Sequence, residues 1–167
     1  HLKILSALAV MFFITGCKNR DTHQDHEHHA NQAATSEKIA NPKTAPDFAL
    51  KNYDGNDVLL SDYKGKIVVL EWFNDECPFC KHHYETTSTM TDMAKKYSPE
   101  GVVWLAINST AHQETERNKQ YAQQHNIPFP ILDDRTGKVG REYAAVTTPH
   151  MFIINKDGKI VYNGAID

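Results

Sequence analysis

No stretch of the chain restricts its fold as much as the one from Ile67 to Tyr97. Ile67-Val68-Val69-Leu70-Glu71-Trp72-Phe73 is an almost continuous apolar run, the pattern of a central strand covered on both faces. Cys77-Pro78-Phe79-Cys80 follows. Beyond it Met90, Met93, Ala94 and Tyr97 fall at i, i+3, i+4 and i+7, the stripe of a single helix over Lys81 to Tyr97 packed on a sheet. The two cysteines therefore belong at a strand-to-helix junction. Unpaired N–H groups and the macrodipole at a helix N-terminus favour a thiolate, so Cys77 is expected to be more acidic than a free cysteine at about 8.5. Pro78 suits the first helical position, where its missing N–H leaves no bond unmade.

A pair spaced in this way is a redox dithiol, a structural bridge or half of a zinc site. A bridge closing so short a loop adds little stability, and the sequence has no second CxxC to complete a zinc ribbon. Redox chemistry is the reading that remains. Glu71 bears on it, because a carboxylate among Val, Leu, Trp and Phe is costly to ionise and its pKa should rise. Glu71 is expected to be a proton acceptor beside the dithiol; the plainer reading is a solvated residue at the strand end.

The chain has 167 residues, 40% of them apolar, enough for one substantial core. Its net charge is −3 with basic residues scattered, which gives no reason to expect a nucleic-acid partner. Phe48 to Leu50 and Val58 to Leu60 flank Asp54-Gly55 and read as an N-terminal hairpin, and Ser61 to Lys66 as a turn. Gly101 to Ile107 reads as a second buried strand, and Glu114 to His125 as a helix with Asn118, Tyr121, Ala122 and His125 on one face. Ile127 to Leu132 reads as a short strand and Lys138 to Ala144 as a small helix. Met151 to Ile154 and Lys159 to Tyr162 form a final hairpin about Asp157-Gly158. The pattern describes an α/β fold, a mixed central sheet flanked by helices.

At the N-terminus Ile4 to Ile14 is apolar, too short to span a bilayer and the right length for a signal-peptide core. Ile14-Thr15-Gly16-Cys17 resembles the lipobox of bacterial lipoproteins. That resemblance implies a signal peptide with its lipobox over residues 1–17, a lipid on Cys17 as the first residue of the mature protein, and a membrane anchor facing the periplasm or the outside of a bacterial envelope. With Lys18 rather than Asp next, a two-membrane bacterium would sort it to the outer membrane. Residues 18–45 are polar and without periodicity, a flexible tether. In it His23, His26, His28 and His29 alternate with acids and could bind a metal loosely.

From Ala45 to Asp167 the chain resembles the thioredoxin fold in its redoxin form, shared by membrane-anchored thiol-disulfide oxidoreductases and peroxiredoxin-like proteins of the AhpC-TSA group. The marks are the strand and CxxC of Val69 to Cys80, Glu71 six residues before the first cysteine, Thr148-Pro149 at the cis-proline loop, and Leu60 to Lys66. The resemblance places a domain at 46–167 and implies disulfide exchange with envelope proteins, fed by an upstream thiol donor. Cys77 would be the nucleophile, Cys80 the resolving thiol and Glu71 the acceptor of its proton. Pro149 would set the backbone of Thr148 against the Cys77 sulfur for substrate to pair with, and Pro78 and Phe79 would face that substrate. No cofactor beyond a Cys77–Cys80 disulfide and a monomeric state are implied, with reduction of substrate as the favoured direction.

Three departures qualify the resemblance. Glu76 stands where a Trp is usual, and its charge should oppose the acidity of Cys77. Asn74 and Leu70 replace the Thr and Pro of peroxiredoxins, so an antioxidant peroxidase is the weaker alternative. The fold normally closes with a helix that would lie beyond Asp167, and His1 is not an initiator Met, so a piece of a longer chain is expected. Copper handling is the other alternative, since some relatives bind Cu(I) with two cysteines and a histidine. His82 and His83 lie roughly 140° and 240° around a helix from Cys77, which leaves His150 as the better candidate. A third possibility is a non-enzymatic tethered module.

Overall fold

The apolar run becomes β3 (Val68–Trp72), all five of its residues buried. The computed structural model describes residues 41–166. In chain order it contains β1 (Ala49–Asn52), β2 (Asp57–Leu59), β3, α1 (Pro78–Lys81), α2 (Thr89–Tyr97), β4 (Val103–Asn108), α3 (Thr115–Gln124), β5 (Ile131–Asp133), α4 (Lys138–Tyr143), β6 (His150–Ile154) and β7 (Ile160–Gly164). The strands form one mixed sheet in the order β2-β1-β5-β4-β3-β6-β7. β3 lies near its centre, parallel to β4 and antiparallel to β6. The parallel neighbours are joined through helices, as parallel pairing requires.

Strand alternation divides the core in two. Val68, Leu70 and Trp72 point to the face shared with Leu105, Ile107, Val139, Tyr143 and Phe152, which α4 and the N-terminal elements cover. Val69 and Phe73 point to the other face, with Cys80, Tyr84, Met90, Ala94, Trp104, Tyr121 and Ala122, which α1, α2 and α3 cover. Glu71 has the parity of Val69 and Phe73, so the strand period directs it into the same layer as the dithiol. Leu70 is fully buried. Leu70→Ala should lower the unfolding free energy by about 2–5 kcal/mol, read from a urea titration.

Several elements differ from the sequence reading. Lys81 to Tyr97 is not one helix: α1 widens into a π-helical turn at His82–Thr86, closed by Thr87 N–H to the His82 carbonyl at 3.0 Å. Ser88 then takes a left-handed φ of 55° before α2 begins. The apolar stripe survives within α2, where Met90 and Ala94 are buried. Leu60–Tyr63 is a short 3-10 helix rather than an open turn. The third parallel strand is shorter than expected because Pro128 and Pro130 lack N–H groups, and only Ile131–Asp133 pairs. Pairing also begins earlier than a boundary at 45/46 implies, since Ile160 N–H donates to the Lys43 carbonyl at 2.9 Å and Thr44 bridges Lys159. Cys17, His23, His26, His28 and His29 lie outside the described residues, among which no helix is long and apolar enough to cross a membrane.

Candidate active site

The chain leaves β3 at Trp72 and reaches Cys77, which caps α1 with Pro78 at its first turn. Cys77 is half-buried and Cys80, one turn on, is fully buried; both are free thiols. The segment between β3 and Cys77 is held from two sides. Asn74 accepts from Glu76 N–H at 2.8 Å, which shapes the turn. Asp75, buried, accepts from Gln113 Nε2 at 2.6 Å and from Arg117 Nε at 2.5 Å. Asn108 Nδ2 in turn donates to Gln113 Oε1 and to Asn118 Oδ1, both at 2.8 Å. This buried network ties the loop before Cys77 to α3 and the end of β4.

The other wall of the site is the loop ending at Pro149, whose bond to Thr148 is cis. The Cys77 Sγ donates to the Thr148 carbonyl at 3.0 Å. That loop is anchored twice. Upstream, Asp134 takes the Val139 and Gly140 N–H groups at 3.2 and 2.9 Å and the Ser109 hydroxyl at 2.7 Å, which caps α4. Gly140 packs closely there: a Cβ would stand 3.1 Å from Trp72 Nε1 and 3.2 Å from Ser109 Oγ, so both side chains would have to give by a few tenths of an ångström. Downstream, His150 Nδ1 accepts from Val146 N–H at 3.3 Å, which places the ring proton on Nε2, 2.6 Å from Asn163 Oδ1. Both ring nitrogens of the copper candidate His150 are thus engaged. His82 is exposed and His83 buried. Among the described residues no group of three or more His, Cys, Asp or Glu side chains is arranged to hold a metal ion.

The two thiols are electrostatically unlike. For Cys77, partial burial is the largest influence and raises the pKa. Hydrogen bonds to its sulfur from the Thr148 side chain and the Cys80 and Phe79 N–H groups outweigh burial, and the net value falls below that of an ordinary thiol. Cys80 is pushed up to about 12, first by burial and further by the charges of Glu71 and Cys77. Glu76 turns its carboxylate to His112, 3.1 Å from Nε2. Alkylation by iodoacetamide against pH should therefore show Cys77 as the one reactive thiol of the pair, with a midpoint below that of free cysteine. Cys80 should stay unmodified through pH 9; equal labelling of both would contradict this assignment.

Glu71 is fully buried, so the solvated alternative is excluded. Burial lifts its carboxyl to about 7, against the lowering effect of hydrogen bonds from Trp104 and Tyr84. Neither donor was found in the sequence. Tyr84 stands at i+4 from Cys80, a spacing that could have signalled a shared helix face. Trp104 carried no comparable signal, because its approach depends on the Val69–Trp104 pairing register.

Phe79 and Val146 are the exposed large apolar side chains among the described residues, 71% and 85% accessible, and each belongs to one wall of the Cys77 site. A cavity of about 470 Å³ lies elsewhere, between Leu60–Lys66 and Ile154–Gly158. Neither Cys77 nor Cys80 lines that cavity.

Comparison with known proteins agrees with this geometry. Thiol-disulfide oxidoreductase ResA of Bacillus thuringiensis subsp. konkukian is 30% identical over 126 residues, 75% of this chain and 69% of the relative. The crystal structure of an uncharacterized conserved protein from Geobacillus kaustophilus superposes with a TM-score of 0.71 at 38% identity, covering 75% of this chain and 69% of that one. The pneumococcal exposed lipoprotein thioredoxin of Streptococcus pneumoniae superposes with a TM-score of 0.61 at 30% identity, covering 73% and 92%. Residues 42–163 match the AhpC/TSA family, and with a thioredoxin-like sheet carrying a CxxC dithiol at the end of its central strand, the chain belongs to that family.

Proposed function

We propose that the chain is a thiol-disulfide oxidoreductase that exchanges the Cys77/Cys80 pair with disulfides of proteins in the bacterial envelope, running as a reductant. The observation that carries this reading is the contact of the Cys77 sulfur with the Thr148 carbonyl at 3.0 Å. It sets a half-exposed, acidified nucleophile beside a backbone edge on which an extended polypeptide can pair. The resemblance of Ile14 to Cys17 to a lipobox, together with the similarity to the pneumococcal lipoprotein thioredoxin, supports an anchor through lipid on Cys17, with residues 18–45 as the tether.

In the reducing direction the Cys77 thiolate attacks one sulfur of the substrate disulfide. A Cys77–substrate bond forms, and the other substrate sulfur leaves as a thiolate that takes a proton from solvent. Cys80 gives its proton to Glu71 and attacks Cys77. The Cys77–Cys80 bond forms, the mixed bond breaks and the second substrate sulfur departs. Two electrons have passed from the dithiol to the substrate, and an upstream thiol donor restores the pair. The unlike thiols suit these roles, since the accessible one ionises readily while the buried one needs a base.

Reduction of insulin in the presence of dithiothreitol tests the reading. The protein should accelerate precipitation of the free B chain catalytically. A rate equal to that of dithiothreitol alone would overturn the assignment.

A further inference from the structure

The two oxygens of Glu71 have different surroundings. Tyr84 Oη donates to Oε2 at 2.8 Å, and Trp104 Nε1 donates to the same atom at 2.9 Å. Oε1 is equally buried and accepts no hydrogen bond from any described residue. Leaving a buried carboxylate oxygen without a donor is costly, so two donors gathered on its partner is an arrangement that structure alone does not favour. The donors come from separate elements, Tyr84 from the π-helical turn after α1 and Trp104 from β4. Such turns inside helices recur at functional sites, and this one carries the residue that reaches Glu71.

We propose that Tyr84 and Trp104 are positioning residues for the resolving step: by holding Oε2 between them they fix the Glu71 carboxylate and leave Oε1 as the atom that takes the Cys80 proton. The inference rests on the thiol-disulfide exchange reading. The transfer moves one proton from Cys80 Sγ to Glu71 Oε1, and the resulting Cys80 thiolate forms the bond to Cys77 as the mixed disulfide breaks. Both donors favour the ionised carboxylate, so they counter burial and keep Glu71 a usable base near neutrality. Tyr84 remains a donor throughout, because burial first and the adjacent Glu71 charge second hold its hydroxyl well above the ordinary tyrosine value.

The other titratable groups around this carboxylate are few. Cys80 of α1 feels its charge, and Tyr121 of α3 packs against Tyr84 with ring centroids 5.8 Å apart. From the neighbouring strands the paired residues are Ala106 and Met151, which carry no charge.

Tyr84→Phe keeps the ring that packs against Phe73 and removes only the hydroxyl. The test follows release of a substrate peptide from its mixed disulfide with Cys77, in single turnover against pH. The midpoint of that profile should move up by about one pH unit, making release roughly tenfold slower below it. Cys77 alkylation should not change. The Glu71 carboxyl, followed by carbon-13 NMR, should show the same upward shift, and Tyr121→Phe should leave both readouts at wild-type values. Trp104→Phe, which keeps an aromatic ring against Phe129, should repeat the shift and serves if Tyr84→Phe does not fold. If the wild type releases no peptide at any pH, the exchange reading itself fails. If the wild type releases peptide but neither variant moves the midpoint, or the rate drops with the midpoint unchanged, the positioning role is overturned.

Discussion

Cys77→Ser should reduce insulin turnover to the uncatalysed background, a loss of roughly three orders of magnitude or more. A serine hydroxyl has the size of the thiol but does not ionise near neutral pH, so no nucleophile remains at the α1 N-terminus. The fold should be untouched, because Cys77 is half-buried and its bond to the Thr148 carbonyl is one that a hydroxyl can also make. Thermal unfolding of Cys77→Ser within a few degrees of wild type, with activity gone, is the expected pair of results. Retained turnover would mean that Cys80 or a residue outside the dithiol does the chemistry.

Glu71→Gln should stabilise the protein increasingly as pH rises while slowing the resolving step. The folded chain holds the Glu71 proton to about pH 7, whereas the unfolded chain releases it near the ordinary value of 4.5. Between those values the folded state binds more protons, so stability falls as pH rises through the window and levels off above it. The two values differ by about 2.5 units (7 − 4.5), which corresponds to roughly 3 kcal/mol. Gln does not titrate, so that decline should vanish. Its carbonyl can still accept from Tyr84 and Trp104, but its NH₂ would replace Oε1 as a buried donor without an acceptor, a constant cost of about 1–3 kcal/mol. The slope rather than the absolute value is therefore the readout. The difference in unfolding free energy between variant and wild type should grow by roughly 3 kcal/mol from pH 4 to pH 9. A difference that stays flat would show that Glu71 is not raised. With the base removed, resolution at pH 7.5 should slow by roughly a hundredfold.

What could be read from the sequence divides along physical lines. The buried β3 was legible because few structures other than a covered strand accommodate seven nearly continuous apolar residues. The place of Cys77 at a helix start followed from Pro78, whereas the stripe of Met90 and Ala94 marked the separate helix α2. The burial of Glu71 followed from its neighbours. Thr148-Pro149 entered only through resemblance, since nothing local marks a loop that meets Cys77 across 71 residues of chain. The π-helical turn was not legible, because Thr86-Thr87-Ser88 contains neither Gly nor Pro to announce a break. The Asp75, Gln113 and Arg117 network was hidden for a different reason. It exists only once α3 docks against the loop before Cys77, and that docking is a property of the assembled layers. Of the donors to Glu71, Tyr84 offered its i+4 spacing from Cys80, while Trp104 was hidden behind the register of β3 with β4.

The central claim is that Cys77 attacks substrate and Cys80 resolves. The most direct measurement is mass spectrometry of Cys80→Ser mixed with a disulfide-containing polypeptide and quenched in acid. A covalent adduct of one substrate chain, removed by reductant and mapped by proteolysis to Cys77, is the predicted result, with no adduct in Cys77→Ser. Failure of Cys80→Ser to trap substrate, or an adduct on Cys80 in Cys77→Ser, would contradict the account.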